Sequence, residues 1–295
     1  MANAVTNLRP HYSRELVDLM VDESLTQDLD AHPITATFKR VDDAGNDKIE
    51  TVKARFAVGT DGGRSRVRKA LGITLEGDSA DKAWGVMDIL LNTDFPDIRV
   101  KSFIQSKDHG AVMTIPREGG YLIRFYVELD QIEKDTRAAD LQLTEHDIIA
   151  KAQKIFHPYT LDVKEVAWWS KYSVGQRLAN RFDNRAVDSS DEIIPRAFVA
   201  GDACHTHSPK GGWGLNTSLP DTFNLGWKMA AVLQGKSKAS LLATYSTERR
   251  KVANQLINAD KELSILVATR PVAGGASQDA QVDTAKIEAF MKRQS

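Results

Sequence analysis

The sequence predicts a mixed α/β (α+β) fold in which strand–turn–helix units flank a sheet-rich middle. Residues 56–73 and 196–232 each combine a short apolar strand, a Gly-Asp turn and a helical pattern. Residues 77–185, which lie between them, mix strands with one helix. Because a strand that delivers an acidic residue to a helix start is typical of ligand sites in α/β proteins, both flanking units are candidates for binding a ligand.

The composition is that of an ordinary globular protein. The chain has 295 residues, of which 42% are hydrophobic and 27% charged, and its formal net charge is −1. This near-neutral balance gives no indication of a nucleic-acid partner. The single cysteine, Cys204, excludes an intrachain disulfide framework and is typical of a reducing compartment. No apolar run approaches the roughly 18 residues of a membrane span, so we expect a cytoplasmic protein without a membrane partner.

Several elements have individual sequence signals. Two strands around an Asp/Gly-rich turn predict a β-hairpin within residues 34–60. Thr144 is a typical helix N-cap and Pro158 a helix stop, which predicts a helix over residues 145–156. A long helix is expected after Ser240.

One predicted strand, residues 122–127, carries polar side chains on a single face. Leu122, Arg124 and Tyr126 share that face, and the alternate positions are apolar. A face with an arginine and a tyrosine can address a polar ligand. From the pattern alone, Arg117 and Arg124 are also compatible with solvated charges on a strand.

The second Gly-Asp motif has the features of a cofactor cradle. The strand at residues 197–200 ends in Gly201 and Asp202, and a turn rich in proline and glycine then leads to a helix. Asp202 is placed to accept hydrogen bonds from ribityl or ribose hydroxyls. The helix N-terminus adds about half a positive charge and unsatisfied donors. Glycines allow the backbone N–H groups to approach a ligand; these are Gly211, Gly212 and Gly214.

The first Gly-Asp motif is a strand, a Gly-Asp-Gly turn and a basic helix that Gly72 closes. Its polar residues are compatible with two roles, contact with phosphates or capping and solvation of the helix. These residues are Arg64, Ser65 and Arg68.

Together the two motifs resemble those of the flavin-dependent aromatic hydroxylases, in the phenol hydroxylase and 3-hydroxybenzoate 4-hydroxylase branch. The resemblance extends over about residues 5–265. It implies a partial FAD-binding Rossmann-like domain with an inserted sheet-rich substrate domain. It also implies FAD and NADPH as cofactors and a small phenolic substrate that is hydroxylated with O2, and it leaves a homodimer open as the assembly.

The resemblance also assigns roles to individual residues. Tyr126 would hydrogen-bond the phenol, Arg117 would support the phenolate, and Arg124 would lie near the mobile flavin. Asp61 and Gly62 would sit by the dinucleotide. The residues implied to hold FAD in the second motif are Asp202, Pro209, Gly212, Gly214, Leu215 and Asn216.

Domain boundaries follow from the same resemblance. Residues 1–76 and 190–265 form the two surviving parts of the FAD-binding domain, residues 77–189 the substrate domain, and residues 266–295 a flexible linker and tail. The Gly-x-Gly-x-x-Gly fingerprint that binds the ADP half of FAD does not occur in this sequence. The family's C-terminal thioredoxin-like domain is also missing, so the chain resembles an internal fragment.

Two departures from the family pattern bear on cofactor binding. Residues 212–216 read Gly-Trp-Gly-Leu-Asn where the family usually has Gly-Gln-Gly-Met-Asn. Pro220 stands near the helix start, where a proline is tolerated only within the first turn. Both Trp213 and Pro220 are expected to change the affinity for FAD.

Rival interpretations concern the same residues. Four potential metal ligands lie close together in the sequence: Asp202, Cys204, His205 and His207. The side chains of the adjacent Cys204 and His205 diverge, and no standard ligand spacing is present, so we expect no metal.

The chain is also compatible with two functions without catalysis. One is a non-catalytic fragment, whose sheet edge and apolar surface would make it depend on a partner, and the other is a small-ligand binding protein that has lost redox chemistry.

Overall fold

The computed structural model describes residues 9–41, 45–78, 82–131, 141–172, 175–186, 193–208, 211–268, 289–290 and 292–293. The strands are β1 (Arg14–Val21), β2 (Ile34–Val41), β3 (Asp47–Ala54), β4 (Ala57–Gly59), β5 (Leu75–Asp78), β6 (Lys82–Asn92), β7 (Ser102–Ser106), β8 (Gly110–Pro116), β9 (Ile123–Gln131), β10 (Asp162–Tyr172), β11 (Gln176–Ala179), β12 (Ala197–Val199) and β13 (His205–Thr206). The helices are α1 (Arg66–Ala70), α2 (Glu145–Phe156), α3 (Gly214–Leu233) and α4 (Thr244–Ala268). The mixture of sheet and helix confirms the predicted α/β class.

The chain divides into two units. The first contains residues 1–76, 177–206 and 212–257, and the second contains residues 77–176, 207–211 and 258–295. None of the helices in the described ranges combines the length and apolar character needed to cross a membrane.

The first unit contains an antiparallel sheet of order β1-β2-β3 and a parallel pair, β4 and β12. Strands β2 and β3 are the predicted hairpin, and their register brings Val41 opposite Asp47. The turn residues 42–44 lie outside the described part of the chain. A buried apolar cluster packs the strands of both sheets against α3 and α4. Its members include Ile34, Phe198, Leu225 and Tyr245.

Helix α1 begins and ends as its sequence predicts. The Ser65 side chain accepts a hydrogen bond from the Arg68 N–H at the N-terminus. Gly72 has φ of 62°, the left-handed conformation that glycine adopts without strain, and it closes the helix. Helices α3 and α4 confirm the helix of the second motif and the long helix expected after Ser240.

The position of Pro220 differs from expectation. Helix α3 begins at Gly214, so Pro220 lies inside the helix and not in its first turn. Proline has no N–H, and the Asn216 carbonyl therefore lacks the backbone donor that it would otherwise have four residues along the helix. The 20-residue helix nevertheless continues on both sides of the proline.

The faces of α3 are unusual for a helix of this length. The buried positions include Thr217, Asp221, Leu225 and Lys228. In contrast, four apolar residues at intervals of four are exposed; this apolar row consists of Leu215, Leu219, Phe223 and Trp227, with 69%, 57%, 78% and 46% of their surface exposed. A buried face that includes a carboxylate and an ammonium group, opposite an exposed apolar row, departs from the usual amphipathic pattern.

The second unit is built on an antiparallel sheet of order β10-β6-β9-β8-β7. Helix α2 covers one face, where Ile148 and Phe156 pack against Phe125 and Val127. It starts with a capping box between Thr144 and Asp147, as predicted. The alternation predicted for residues 122–127 is confirmed, since Ile123, Phe125 and Val127 are buried.

Candidate functional site

The two Gly-Asp turns are neighbours in the first unit. The parallel pairing of β4 with β12 places Gly59 opposite Val199, so both strands end at the same edge. The buried Arg68 side chain then links the turns, because Nη1 donates to the Ala203 carbonyl and Nη2 to the Gly63 carbonyl, each at 2.9 Å. Of the two roles open to Arg68, the structure thus supports a structural one.

The Asp61 carboxylate caps α1. It accepts hydrogen bonds from the Arg66 N–H at 2.7 Å, the Val67 N–H at 3.2 Å and the Ser65 hydroxyl. A carboxylate at this position satisfies backbone donors that a helix start leaves without partners. The neighbouring Gly62 has φ of 80° and is half-buried, which fits a tight turn. The predicted contact of Asp61 and Gly62 with the dinucleotide stays a prediction.

A cavity of about 620 Å³ borders this first turn. Its wall is mainly apolar and comes from the β1-β2-β3 sheet and β4, with Leu19, Ile34 and Ala57 as examples. Asp61 and Arg64 contribute polar groups to the lining. A cavity of this size, apolar with a few polar groups, is typical of small-ligand sites.

The second turn presents a carboxylate outward. Gly201 has φ of 62°, and an added Cβ would lie 3.2 Å from the Ser218 side chain. The next residue, Asp202, is exposed, and among the described residues none hydrogen-bonds its carboxylate. Asp202 therefore differs from Asp61, because its oxygens are available to a ligand.

The start of α3 has no side-chain cap within the described residues. Its N-cap residue, Trp213, makes no capping hydrogen bond with its side chain there, and the first turn contains no acidic residue. Gly212 has φ of 68° and is exposed, as are Leu215 and Asn216. Helix N–H groups without a cap attract anionic or electron-rich groups. Gly214 is the first helical residue, and Pro209 lies outside the described residues.

The structure brings together a set of potential metal ligands that differs from the set considered in the sequence. The side chains of Cys204, His205 and Asp221 are buried, and their ligand atoms lie within 4.8 Å of one another. However, Arg249 Nε lies 2.7 Å from the Asp221 carboxylate, so the guanidinium already balances the negative charge of that carboxylate. Burial raises the pKa of the Cys204 thiol well above its usual range, which disfavours the thiolate that binds metals. The arrangement thus favours a hydrogen-bonded network.

In the second unit, one carboxylate joins both predicted substrate arginines. Asp88 on β6 accepts from Arg124 Nε and Nη2, each at 2.7 Å, and from Arg117 Nη1 at 3.0 Å. Both arginine side chains remain between a quarter and a third exposed. The hydrogen bonds with Asp88 raise the pKa of Arg124, and the Tyr126 hydroxyl contributes in the same direction. Arg117 also binds Glu118, which lowers the pKa of that carboxyl to about 2.

Two residues on this face were not singled out in the sequence. Asp88 lies opposite Arg124 in the β6–β9 register and opposite Trp168 in the β6–β10 register. Trp168 is half-exposed, and the Arg124 guanidinium lies 5.6 Å from its ring centroid. A lone acid inside the otherwise apolar strand β6 is the signal that identifies Asp88.

Comparison with known proteins identifies the family. A model of the FAD binding domain family matches residues 15–260. The 3-hydroxybenzoate 4-monooxygenase of Comamonas testosteroni is 50% identical over 277 residues, which cover 93% of this chain and 43% of that protein. The phenol 2-monooxygenase fsqG of Aspergillus fumigatus is 42% identical over 233 residues, which cover 79% of this chain and 37% of that protein. The chain thus spans less than half the length of these curated relatives.

The solved structures agree on the fold. The p-nitrophenol 4-monooxygenase PnpA from Pseudomonas putida matches with a TM-score of 0.68 and 20% identity, over 98% of this chain and 68% of that one. The predicted resemblance to flavin-dependent aromatic hydroxylases is confirmed by the family match and by both relatives. This chain belongs to the FAD binding domain family.

Proposed function

We propose that the chain carries the flavin and substrate sites of an FAD-dependent aromatic monooxygenase that hydroxylates a phenol. The observation that carries the proposal is the exposed Asp202 carboxylate, which follows a glycine in the left-handed conformation at the end of β12. The uncapped start of α3 supports it. A flavin requires a hydrogen-bond acceptor for its ribityl hydroxyls, which Asp202 offers, and donors for the electron-rich edge of its ring, which the start of α3 offers.

The residues present fit FAD in this part of the first unit. Asp202 would hold the ribityl chain, and the backbone of Gly212, Gly214, Leu215 and Asn216 would hold the ring. When bound, FAD supplies the redox chemistry that transfers one oxygen atom of O2 to the substrate. The cavity beside Asp61 and the match to the FAD binding domain family support a dinucleotide at the first turn.

The second unit would bind and activate the phenol. Tyr126 would hydrogen-bond the hydroxyl, and Arg117 would stabilise the phenolate that forms when the proton leaves. Asp88 keeps the guanidiniums of Arg117 and Arg124 in fixed positions, so they need little reorganisation when negative charge develops. The half-exposed Trp168 ring offers an apolar surface beside them.

The proposal extends to the reductant, the compartment and the assembly of the protein. NADPH would reduce the flavin, the protein would work in the cytoplasm, and a homodimer is the assembly to examine. The functional boundaries at residues 76, 189 and 265 likewise stay predictions. Support for a reducing compartment comes from the single cysteine, which is buried as a free thiol.

The test is flavin uptake by the purified chain. We expect added FAD to co-elute with the protein, and its visible spectrum to shift when 3-hydroxybenzoate is added as a probe. Asp202→Asn should weaken FAD binding, whereas Asp18→Asn, which changes an exposed carboxylate on β1 of the same unit, should not. A wild-type protein that remains colourless with excess FAD would refute the proposal.

An alternative is a ligand-binding protein without redox activity. The cavity beside the first turn would also suit this function, because a cavity of this size can bind a small ligand without redox chemistry. An assay of NADPH oxidation in the presence of FAD and 3-hydroxybenzoate distinguishes the monooxygenase from the ligand-binding protein. Binding of the phenol without oxidation would favour the alternative.

A further inference from the structure

One buried carboxylate joins several elements of the first unit. Asp221 lies on α3 with none of its surface exposed. Its Oδ2 accepts from the Gly201 N–H at 3.1 Å and lies 2.8 Å from His205 Nε2, and its Oδ1 accepts from Arg249 Nε at 2.7 Å. An ionised carboxylate accepts only, so Nε2 of His205 must carry the proton in this contact.

This carboxylate occupies a position that would ordinarily be apolar. It lies on the buried face of α3 between Thr217 and Leu225. Removing a charge from water costs free energy, and an apolar residue of similar volume often stabilises a fold equally well. A role in directing local structure would account for a charged residue here.

The hydrogen bond to Gly201 supplies such a role. Gly201 begins the turn after β12, and Asp202, the exposed carboxylate, is the next residue. Fixing the Gly201 N–H fixes the peptide plane between Ala200 and Gly201, from which the chain turns into Asp202. Arg249 Nη2 also donates to the Thr217 carbonyl at 3.3 Å, so the same arginine ties α4 to α3 and keeps Asp221 in place.

We infer that Asp221 is a positioning residue of the flavin site, which holds the Gly201 amide and thereby sets the direction of the Asp202 carboxylate. The inference rests on the proposed function, because it takes Asp202 to be the group that binds FAD. Asp221 itself is enclosed and has no route to the ligand. Its effect on FAD passes through the backbone of Gly201.

The test compares two buried carboxylates of the same unit. Asp221→Asn removes the charge with little change of volume. Asp183→Asn is the matched control, because Asp183 is 1% exposed and binds an arginine, Arg185, but among the described residues it has no hydrogen bond with Gly201. Both variants should lose stability, so the thermal midpoint alone does not separate positioning from structural support.

Two readouts separate them. Below the thermal midpoint of each variant, we expect the Kd of FAD to rise at least tenfold in Asp221→Asn and less than threefold in Asp183→Asn. Without FAD, hydrogen exchange at the Gly201 amide should be faster in Asp221→Asn alone. If Asp221→Asn does not fold, Asp221→Glu keeps the charge but moves it by one methylene, and we expect the same direction of change in both readouts.

The outcomes distinguish the inference from the proposed function. If wild type binds FAD and Asp221→Asn binds it equally well, or the Gly201 amide exchanges at the wild-type rate, the positioning role is overturned and the proposed function stands. If wild type takes up no FAD, the proposed function fails, and the inference about flavin fails with it.

Discussion

Asp88 and Arg124 face each other across strands β6 and β9, and the guanidinium donates from Nε and Nη2 to both carboxylate oxygens at 2.7 Å. A bidentate pair of this kind fixes the guanidinium in direction as well as in place. Arg117 adds a third hydrogen bond to the same carboxylate. Arg124 and Arg117 on this face of the sheet therefore share one acid, and Arg117 also pairs with Glu118.

Asp88→Asn should destabilise the second unit by about 1–3 kcal/mol, because it leaves the Arg124 guanidinium without its ionic acceptor and removes one of the two carboxylates that pair with Arg117. Urea unfolding measures the change. The control is Asp162→Asn, since Asp162 pairs with Lys164 while both side chains are 56% exposed, and such pairs contribute about 0–1 kcal/mol. Equal losses in the two variants would contradict the importance of the Asp88 pair.

Gly201→Ala should destabilise the first unit by about 1–2 kcal/mol and weaken FAD binding. Alanine is strained at φ of 62°, and its Cβ would lie 3.2 Å from Ser218. The matched control is Gly226→Ala, because Gly226 lies inside α3 with open space around it. There the helix propensity of alanine predicts a gain of up to about 1 kcal/mol. Thermal denaturation of both variants gives the comparison.

Pro220→Ala should stabilise the protein by about 1–3 kcal/mol, since it restores a backbone donor for the Asn216 carbonyl inside α3. Pro96→Ala is the control, because Pro96 lies in a connection between strands, where removing a proline increases the entropy of the unfolded chain. Differential scanning calorimetry should show a higher midpoint for the first variant only. A lower midpoint for Pro220→Ala would mean that the helix requires the proline.

The Cys204 thiol should react slowly with a disulfide reagent at pH 8 in the folded protein and rapidly in urea. Burial raises its pKa, so the folded state disfavours the thiolate. The associated stability is present below the ordinary thiol pKa of about 8.5 and is lost as pH rises above it. Cys204→Ala should therefore show a shallower loss of stability between pH 8 and 10. Wild-type reactivity that matches free cysteine would argue against this environment.

Phe223→Glu should reduce self-association without lowering stability by more than about 0.5 kcal/mol, because the side chain is 78% exposed in the apolar row. Thr222→Glu adds the same charge at the neighbouring exposed position and retains the row. Sedimentation velocity at several concentrations measures the difference. Identical behaviour of the two variants would show that added charge, and not loss of the aromatic ring, is responsible.

Local signals predicted much of the fold. Thr144 and Pro158 bracket α2 because a cap and a stop act within one helical turn. The alternation of Arg124 and Tyr126 with apolar residues gave the correct face of β9, since a strand's side chains alternate by geometry. Pro220 was misplaced because the sequence does not show where α3 takes its first turn.

Pairings between distant residues could not be predicted in the same way. The sequence identifies Asp61 and Asp202 as acids near turns, and it did not single out Asp88. It does not show that Asp61 caps α1 or that Asp88 binds two arginines, because these contacts depend on register and side-chain direction. The buried face of α3 was also not predicted. A carboxylate such as Asp221 can be buried there only because Arg249 and His205, which belong to other elements, contact it.

The pairing of β4 with β12 has a consequence for synthesis of the chain. Ala57 on β4 pairs with Ala197, so 140 residues separate the partners, and the bulk of the second unit is translated between them. On the ribosome, β4 must wait with an unpaired edge while residues 77–176 emerge and fold by their more local contacts. We therefore expect residues 77–176 to fold before the two flavin-binding turns meet, which makes that interval the period when a nascent chain is most exposed to aggregation.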